Sequence, residues 1–548
     1  MLLLGLAARL AWVLFTGYTF EDAFITFRFA RNLAEGLGFV FNAGEPIYGT
    51  TTPLLTLLLA GALWLGLDVA NAATLLGVLA GLAALGLWLE GLRCLGAAPW
   101  TQALGGLLLA CSPLLWQMDG GGMETPLVLV LMLAAWLAAL QHRPGWAGLW
   151  LGLMLWVRLD TLLWGLLPGV MLFGQAQGRQ RWQWLARLAG GMVAVYLPWL
   201  LFAWAYFGSP LPYTVLAKWA AYVQADGRSL WEHGRIALSY LLLFNLLPGW
   251  EGAQALLLAL TLGLAGLGCW AWRRSLAVWG FLPFAALEVL RLVLQRATFF
   301  ERYFVPALWA LLALAGLGLA ALWQGRVNRL FRILLGGWLL AVLAGLLAYR
   351  PQSNLLSSVP VMLLLWAVFC ALWLLLERYW RWQLWGRALA GLLTLLLLVG
   401  CAVFGRIRAE AAQQVQVFRH ERSLKAIGLW LAANTSADAE IMLEPLGYVG
   451  YYSRRVLRDE VGLVTPAVVE SKLAGQMDVL AYISILNPDY IVVHCDDVLR
   501  WQQRKATAFL AHYRFEVRVD PLDFATGGRQ SVARGACYEV WGRMQLAP

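Results

Sequence analysis

Apolar runs long enough to cross a lipid bilayer recur through roughly the first 400 residues of this chain. Most of the runs are about 17–22 residues long, and a helix needs about 20 apolar residues to cross a hydrocarbon core of roughly 30 Å. Of the 548 residues, 61% are hydrophobic and 13% are charged, a balance that soluble globular domains do not have. The sequence therefore predicts a polytopic α-helical membrane protein.

The runs predict about thirteen transmembrane helices in a membrane domain of residues 1–404. The first run is expected to remain as a span, since it lacks a clear small-residue cleavage pattern. Residues 53–65 are expected to lie in the membrane interface, within a first outer loop of residues 18–70. The predicted spans are residues 2–17, 71–91, 101–117, 124–141, 146–157, 160–174, 188–207, 253–272, 276–294, 303–323, 330–349, 358–377 and 387–404.

The basic residues indicate orientation in the membrane rather than a nucleic-acid partner. The formal net charge is +10, but the arginines of the membrane domain are scattered between spans instead of being clustered with aromatic residues. The positive-inside rule puts most of these arginines on the cytoplasmic side of a bacterial inner membrane. The connections 18–70, 118–123, 208–252 and 295–302 then face outward, together with the whole C-terminal region.

The composition changes near residue 405, where polar residues become frequent and short β-branched runs alternate with amphipathic segments. Residues 405–548 are therefore predicted to form a soluble, extracytoplasmic α/β domain. Cys495 and Cys537 fall in this domain, where a disulfide and two free buried thiols are both compatible with the sequence. The predicted strands are residues 440–444, 490–494, 513–519 and 538–541, and the predicted helices are residues 409–433, 465–486 and 497–511.

An acidic pair, Glu21 and Asp22, follows directly on the first apolar run. A carboxylate at the edge of hydrocarbon is costly to keep ionised, so this position indicates a functional site. The next residues are expected to form an amphipathic surface helix that ends at Gly36 and Gly38. Asp22 could equally serve as the N-cap of that helix.

Acidic residues come mainly from the early outer connections and basic residues from the later ones. A carboxylate opposite several cations suits the transfer of a group from a phosphate to a hydroxyl, because the carboxylate accepts the proton and the cations stabilise the departing charge. Arg158 and Asp160 can also pair simply with each other. The candidate residues are Glu21, Asp22, Glu45, Tyr48, Asp119, Glu124, Arg158, Asp160, Lys218, Arg291, Arg296, Glu301 and Arg302.

The segment EDAFITFRFARNLAEGLGFVFNAGEPIYGTTTPL, residues 21–54, resembles the first outer loop of the GT-C superfamily of polyprenyl-phosphate-dependent membrane glycosyltransferases. The arabinofuranosyltransferase-like branch has a similar acidic pair, a similar Arg-x-Ala-x-Asn helix and a similar Asn-x-Gly-Glu turn. Weaker similarity continues in GGGMETPL (120–127), WVRLDTLL (156–163), PLPYTVLAK (210–218), ERYFVPALWALLAL (301–314) and LEPLGYVGYYSRRVLRDEVGLV (443–464). This sequence departs from the pattern at two positions. Aspartate is usual where this chain has Glu21, and an acidic residue is usual where it has Tyr48.

The resemblance implies an inverting transfer of a hexosyl or pentosyl group from a polyprenyl-phosphate donor on the outer face of the membrane. Asp22 would be the catalytic base, with Glu21 as a second acid beside it. Lys218, Arg296, Arg302 and Arg158 are expected to bind the donor phosphate. The expected substrate-binding residues are Glu45, Tyr48, Asp119 and Glu124.

No cofactor is expected, and a divalent cation is not required by a monophosphate leaving group surrounded by cations. His494, Cys495, Asp496 and Asp497 are expected to end a strand and cap a helix rather than bind a metal. The acceptor would be a glycan or a protein of the cell envelope. A transporter or flippase of lipid-linked sugars and a non-catalytic membrane scaffold are the alternatives, although transporters more often place charges near the bilayer midplane.

Overall fold

A computed structural model of the chain describes residues 1–223, 228–241, 251–295, 300–325, 382–503, 512–521 and 536–544. The predicted spans 330–349 and 358–377 and the predicted phosphate ligand Arg296 lie outside the described residues. The described part consists of a helical region that reaches to residue 434 and a mixed β-sheet with its surrounding helices.

The helical region begins with short helices and continues with several long ones. It also contains a 3₁₀ segment, Leu159–Gly165, and two π-helical segments, Trp219–Val223 and Val415–Lys425. The α-helices are α1 Leu2–Thr16, α2 Ala23–Ala34, α3 Pro53–Trp64, α4 Val69–Cys94, α5 Pro99–Cys111, α6 Pro113–Gly120, α7 Thr125–Leu140, α8 Pro144–Val157, α9 Leu166–Gln175, α10 Arg179–Phe207, α11 Tyr213–Lys218, α12 Leu230–Leu241, α13 Glu251–Ala271, α14 Leu276–Trp279, α15 Phe281–Leu294, α16 Glu301–Trp323, α17 Trp382–Gln414 and α18 Ala426–Asn434.

Five helical stretches within the described residues are long and apolar enough to cross a membrane, or six if a bent pair is counted as one span. Large apolar side chains on several of these helices point outward, such as Trp204, which is 65% exposed. Such exposure is unfavourable in water and is expected where a helix faces lipid. The chain is a multi-pass membrane protein, and the count of thirteen spans stays a prediction.

The predicted crossing at residues 101–117 is wrong as a single helix. Ser112 has an extended backbone before Pro113, so α5 ends and α6 begins there. Helices α6 and α7 then form a pair bent by 107° at the glycine-rich turn that contains Gly121 and Gly122. Pro113 is a local signal for the first break, and the run of glycines is the signal for the second.

The C-terminal region contains a five-stranded sheet with the strand order β2-β1-β3-β5-β4. Strand β1 is parallel to β2 and β3, whereas β5 is antiparallel to β3 and β4. The four predicted strands are confirmed, and β2 and the helix before it were not predicted, because both are short. The strands are β1 Glu440–Leu443, β2 Val456–Asp459, β3 Tyr490–His494, β4 Tyr513–Val519 and β5 Tyr538–Arg543, and the helices are α19 Leu446–Ser453, α20 Pro466–Leu473, α21 Val479–Leu486 and α22 Cys495–Gln503.

Helix α2 was predicted to lie at the surface with one polar face, and this prediction is wrong. Arg28 and Arg31 are buried, because the C-terminal region packs over the helix. Arg28 donates hydrogen bonds to the backbone carbonyls of Phe41, Gly450 and Arg455. Sequence periodicity cannot distinguish a polar face in water from one that binds another part of the same chain.

A disulfide joins Cys495 to Cys537 and thereby links the end of β3 to the start of β5. The sequence was compatible both with a disulfide and with two free thiols at these positions. The backbone N–H of Cys495 also donates to the carbonyl of Cys537. The two sulfur atoms therefore come from neighbouring strands that the sheet already holds together.

Candidate active site

A cavity of about 1250 Å³ lies where the helical region meets the C-terminal sheet. Apolar residues of the helical region line one part of it, including Leu108, Leu311 and Phe404. Its other end is lined by charged side chains from both regions. These charged residues are Glu21, Asp22, Glu124, Arg158, Asp160, Lys218, Arg291, Glu301, Arg302, Arg408, Arg419, Glu444 and Asp459.

The segment that carries the acidic pair is held from two sides. On one side, the backbone N–H of Phe20 donates to the carbonyl of Gly121, 3.0 Å away, at the bend between α6 and α7. On the other side, the N–H of Gly447 at the start of α19 donates to the Glu21 carboxylate. The helical region and the C-terminal region therefore fix the acidic pair together.

Gly447 allows the two regions to approach each other closely. A Cβ atom at this position would lie 2.0 Å from the backbone oxygen of Glu21, a distance that no side chain can occupy. Burial raises the pKa of Glu21, and the negative charge of Asp22 raises it further. Glu21 is therefore held in a protonated form well above the pH at which a glutamate ordinarily ionises.

Asp22 forms an ion pair with Arg302 at the start of α16, and the two side-chain atoms are 2.6 Å apart. The Asp22 side chain is 37% exposed, whereas Arg302 is only 10% exposed. Burial acts to raise the pKa of Asp22, but the Arg302 guanidinium outweighs it and holds this pKa below its ordinary value. Asp22 is at the N-cap position of α2 without accepting a side-chain cap hydrogen bond, so capping does not explain it.

Three cations surround Tyr303, a residue that sequence reasoning missed. The Lys218 Nζ atom is 3.4 Å from the Tyr303 hydroxyl. The guanidinium carbons of Arg158 and Arg302 lie 4.8 Å and 5.3 Å from the centre of its ring. Such distances are typical of cation–π contacts, which hold a cation in place without neutralising it. The position of Tyr303 directly after Arg302 was the available signal.

Two acids hold Arg158 on its other side. Its guanidinium makes a bidentate contact with Asp160, at 2.9 Å and 2.6 Å, and a third contact with Glu124 at 2.9 Å. Arg291 also reaches Asp160, at 3.3 Å. The predicted pairing of Arg158 with Asp160 is confirmed, and both residues line the cavity.

Three predicted substrate-binding residues do not line the cavity. Glu45 pairs with Arg458 of β2 at 2.8 Å. The Tyr48 side chain is buried, and its hydroxyl accepts a hydrogen bond from the indole N–H of Trp199. These contacts give Glu45 and Tyr48 structural roles, in joining the outer loop to the sheet and to α10.

Asp119, the third of these residues, is buried in the helical region and pairs with Arg9 of α1 at 2.6 Å. A Cβ atom at Gly81 would lie only 2.2 Å from the Asp119 carboxylate, so the glycine leaves room for this pair. Glu124, only five residues later, does line the cavity. The bend between α6 and α7 separates the two carboxylates.

The C-terminal half adds residues to the cavity that the sequence gave no reason to choose. Arg408 of α17 reaches both Glu301 and Gln117. Arg419 and Glu444 also line the cavity, and burial raises the pKa of Glu444. The positions of Arg419 and Glu444 depend on how the C-terminal region packs on α2, and no local sequence pattern encodes that packing.

Within the described residues there is no group of three His, Cys, Asp or Glu side chains arranged to hold a metal ion. His494 Nδ1 accepts a hydrogen bond from the backbone N–H of Asp496 and lies 3.7 Å from the Asp496 carboxylate. The neighbouring Cys495 is in the disulfide. Several carboxylates and cations that line the cavity are instead paired with one another.

The fold and the cavity define a multi-pass membrane protein with a charged site at the junction of its helices with a C-terminal α/β region. A crystal structure of ArnT from Cupriavidus metallidurans bound to undecaprenyl phosphate is similar, with a TM-score of 0.55 and 14% identity over 98% of this chain and 96% of that chain. A cryo-EM structure of the arabinofuranosyltransferase AftD from Mycobacteria is similar with a TM-score of 0.52 and 14% identity, over 99% of this chain and 41% of that chain.

Sequence comparison gives a curated relative and a family. The Terminal beta-(1->2)-arabinofuranosyltransferase of Mycobacterium tuberculosis (strain ATCC 25618 / H37Rv) is 29% identical over 241 residues, which are 40% of this chain and 37% of the relative's length. Residues 406–541 match a family described as a domain of unknown function (DUF8728). The fold is similar to that of ArnT and AftD, and the predicted resemblance of residues 21–54 to the GT-C superfamily is confirmed.

Proposed function

We propose that this protein is an inverting membrane glycosyltransferase that moves a sugar from a polyprenyl-phosphate donor to a hydroxyl of a cell-envelope glycan or protein. Asp22 is the base that accepts the proton of the acceptor hydroxyl. Arg302, Lys218 and Arg158 bind the donor phosphate and stabilise its charge when it leaves. The GT-C fold and the name of the curated relative support this class of reaction.

The observation that carries the proposal is the half-buried carboxylate of Asp22 beside several cations in a cavity that also has apolar walls. The polyprenyl chain of the donor needs apolar walls to pack against. Its phosphate needs cations next to those walls. Lys218, Arg158 and Arg302 come from three different elements and meet at Tyr303. The proposed inversion requires the acceptor hydroxyl next to Asp22 to lie on the side of the sugar opposite to the phosphate.

The reaction is proposed to take place on the outer side of the inner membrane, where the C-terminal region would also lie. The disulfide between Cys495 and Cys537 supports this side, because disulfides persist in oxidising compartments and are rare in the cytosol. The C-terminal region borders the charged end of the cavity through Arg419 and Glu444. It is therefore proposed to help bind the acceptor.

The proposed transfer needs no divalent cation, because guanidinium and ammonium groups neutralise the departing phosphate. Transfer measured with and without a chelator tests this part of the proposal. Equal rates are expected. Loss of transfer in the chelator that Mg²⁺ or Mn²⁺ restores would contradict it.

The first prediction concerns Asp22. Purified protein in lipid nanodiscs is incubated with a polyprenyl-phosphate arabinofuranose donor and hydroxyl acceptors, and product is measured by mass spectrometry. Asp22→Asn removes the base but keeps the size of the side chain, so transfer is expected to fall about 10²- to 10⁴-fold.

Asp68→Asn is the matched control. Asp68 accepts a cap hydrogen bond from the N–H of Asn71 and does not line the cavity. Asparagine caps a helix as well as aspartate does, so this variant is expected to transfer sugar at the wild-type rate. Equal transfer by wild type and Asp22→Asn would remove Asp22 as the base. Absence of transfer by wild type with every polyprenyl-phosphate sugar would favour the transporter alternative.

A further inference from the structure

Arg302 has two roles in the proposed reaction that one guanidinium cannot fill fully at the same time. It is paired with Asp22, the proposed base, at 2.6 Å. It is also one of the cations proposed to bind the donor phosphate. The following inference rests on the proposed function and concerns the order of events at this site.

The surroundings of Arg302 restrict where its guanidinium can go. The side chain is only 10% exposed, and its guanidinium carbon lies 4.4 Å from the centre of the Phe300 ring and 5.3 Å from that of Tyr303. The planar guanidinium lies between two aromatic rings and therefore keeps its position. It can exchange hydrogen-bond partners mainly at its edges. A phosphate that arrives at the cavity therefore meets the edge that Asp22 occupies or the edge beside it.

The Asp22 side chain is the more exposed partner of the pair, 37% against 10% for Arg302, and it accepts no cap hydrogen bond from its own helix. While the pair is intact, Asp22 is a weak base, because the nearby positive charge stabilises its ionised form. Once a phosphate takes over the guanidinium, Asp22 loses the positive charge that stabilised its ionised form and gains the negative charge of the phosphate nearby. Both changes make it a stronger base.

We propose that Arg302 is exchanged between Asp22 and the donor phosphate, so that binding of the donor releases the base. In the empty site the base is held by Arg302. After the donor binds, the acceptor oxygen attacks the anomeric carbon, its proton passes to Asp22, and the bond from that carbon to the phosphate oxygen breaks with its electron pair on the phosphate. Arg302 and Lys218 hold the phosphate, and the donor must bind before an acceptor can be activated.

The exchange predicts that Asp22 competes with phosphate for Arg302. Binding of sugar-free polyprenyl phosphate is measured in nanodiscs for wild type, Asp22→Asn, Arg302→Gln and the double variant. Asp22→Asn frees the guanidinium, so it is expected to bind the lipid phosphate about ten-fold more tightly than wild type. In the Arg302→Gln background, the same substitution is expected to change affinity by less than about two-fold, because the competition has been removed.

A simple repulsion between Asp22 and phosphate gives a different pattern, since Asp22→Asn would then increase affinity equally with and without Arg302. Such an outcome overturns the inference. Unchanged or weaker binding by Asp22→Asn overturns it too. Asp68→Asn is the control, because Asp68 caps α4 and does not line the cavity, and its affinity should match wild type.

The binding measurement separates this inference from the proposed function. If wild type transfers sugar but Asp22→Asn binds polyprenyl phosphate no more tightly, the exchange is wrong and the proposed function stands. If Asp22→Asn binds polyprenyl phosphate more tightly only when Arg302 is present, the exchange is supported. This result does not depend on which sugar the donor carries. If no variant binds polyprenyl phosphate, both proposals fail.

Discussion

Glu21 and Asp22 are adjacent in sequence but have opposite electrostatic surroundings. Asp22 faces a guanidinium, which stabilises its charge, and it reaches the cavity. Glu21 accepts a hydrogen bond from the backbone of Gly447, and the nearby acids Asp22 and Glu444 raise its pKa. Of two similar side chains, the structure therefore makes one suitable as a base and gives the other a part in joining two regions of the molecule.

The contrast gives a prediction for Glu21→Gln. Glutamine is uncharged and keeps the oxygen that accepts from Gly447, so transfer is expected to stay within about ten-fold of wild type, far from the loss in Asp22→Asn. The same assay of transfer tests this. A loss in Glu21→Gln as large as that in Asp22→Asn would show that the charge of Glu21 takes part in catalysis.

The raised pKa of Glu21 also predicts how stability depends on pH. The folded protein keeps this proton at pH values where the unfolded chain has lost it, so the contribution of Glu21 to stability falls as pH rises from its ordinary value of 4.5 towards the raised value. Apparent melting temperatures across this range should decline less in Glu21→Gln than in wild type. Parallel curves for the two proteins would contradict a protonated Glu21.

Among the structural elements, α19 has the closest contact with the acidic loop. Its first turn lies against Glu21, with Gly447 as the point of contact. The loop rests on the bend between α6 and α7 on its other side, through the hydrogen bond from Phe20 to Gly121. An element of the C-terminal region thereby determines the position of the proposed base in the membrane region.

Gly447→Ala is predicted to move this loop. The added Cβ atom would meet the backbone oxygen of Glu21 at 2.0 Å, so either α19 or the loop must shift. A displacement of about 1 Å at a reacting group can lower turnover about 10²-fold, which is the expected change in kcat. Gly61→Ala in α3 is the control, because nothing lies within 4 Å of the corresponding Cβ position. Equal kcat values for the two variants would show that α19 does not position the base.

In the molecule as a whole, polar contacts across one junction hold the C-terminal region against the helices. Arg28 donates to carbonyls on both sides of this junction. Glu45 and Arg458 form an ion pair across it. The cavity lies at the same junction. Loss of these contacts is therefore expected to disturb both the attachment of the C-terminal region and the proposed reaction.

The disulfide is predicted to stabilise the C-terminal region. It closes a segment with a sequence separation of 42 residues between the two cysteines. Replacing both cysteines with serine is expected to lower the free energy of unfolding by about 2–4 kcal/mol. Melting in nanodiscs with and without reductant measures this: reductant should lower the melting temperature of wild type and leave the double variant unchanged. Equal melting of wild type and double variant without reductant would contradict a stabilising disulfide.

The sequence alone was sufficient for features that depend on local pattern. Apolar length predicted membrane helices, short β-branched runs predicted four of the five strands, and the acidic loop predicted the GT-C resemblance. The same loop made Asp22 a candidate, the later basic residues made Lys218 and Arg302 candidates, and all three line the cavity. These signals survive in a linear sequence because each depends on residues close together in the chain.

Long-range packing determined the rest. It buried the polar face of α2, brought Arg419 and Glu444 to the cavity, and gave Glu45, Tyr48 and Asp119 structural partners instead of a place in the cavity wall. It also paired Asp22 with Arg302, 280 positions further along the chain. A residue's partner across such a separation depends on the relative placement of whole helices, and its own neighbours in sequence carry no record of that placement.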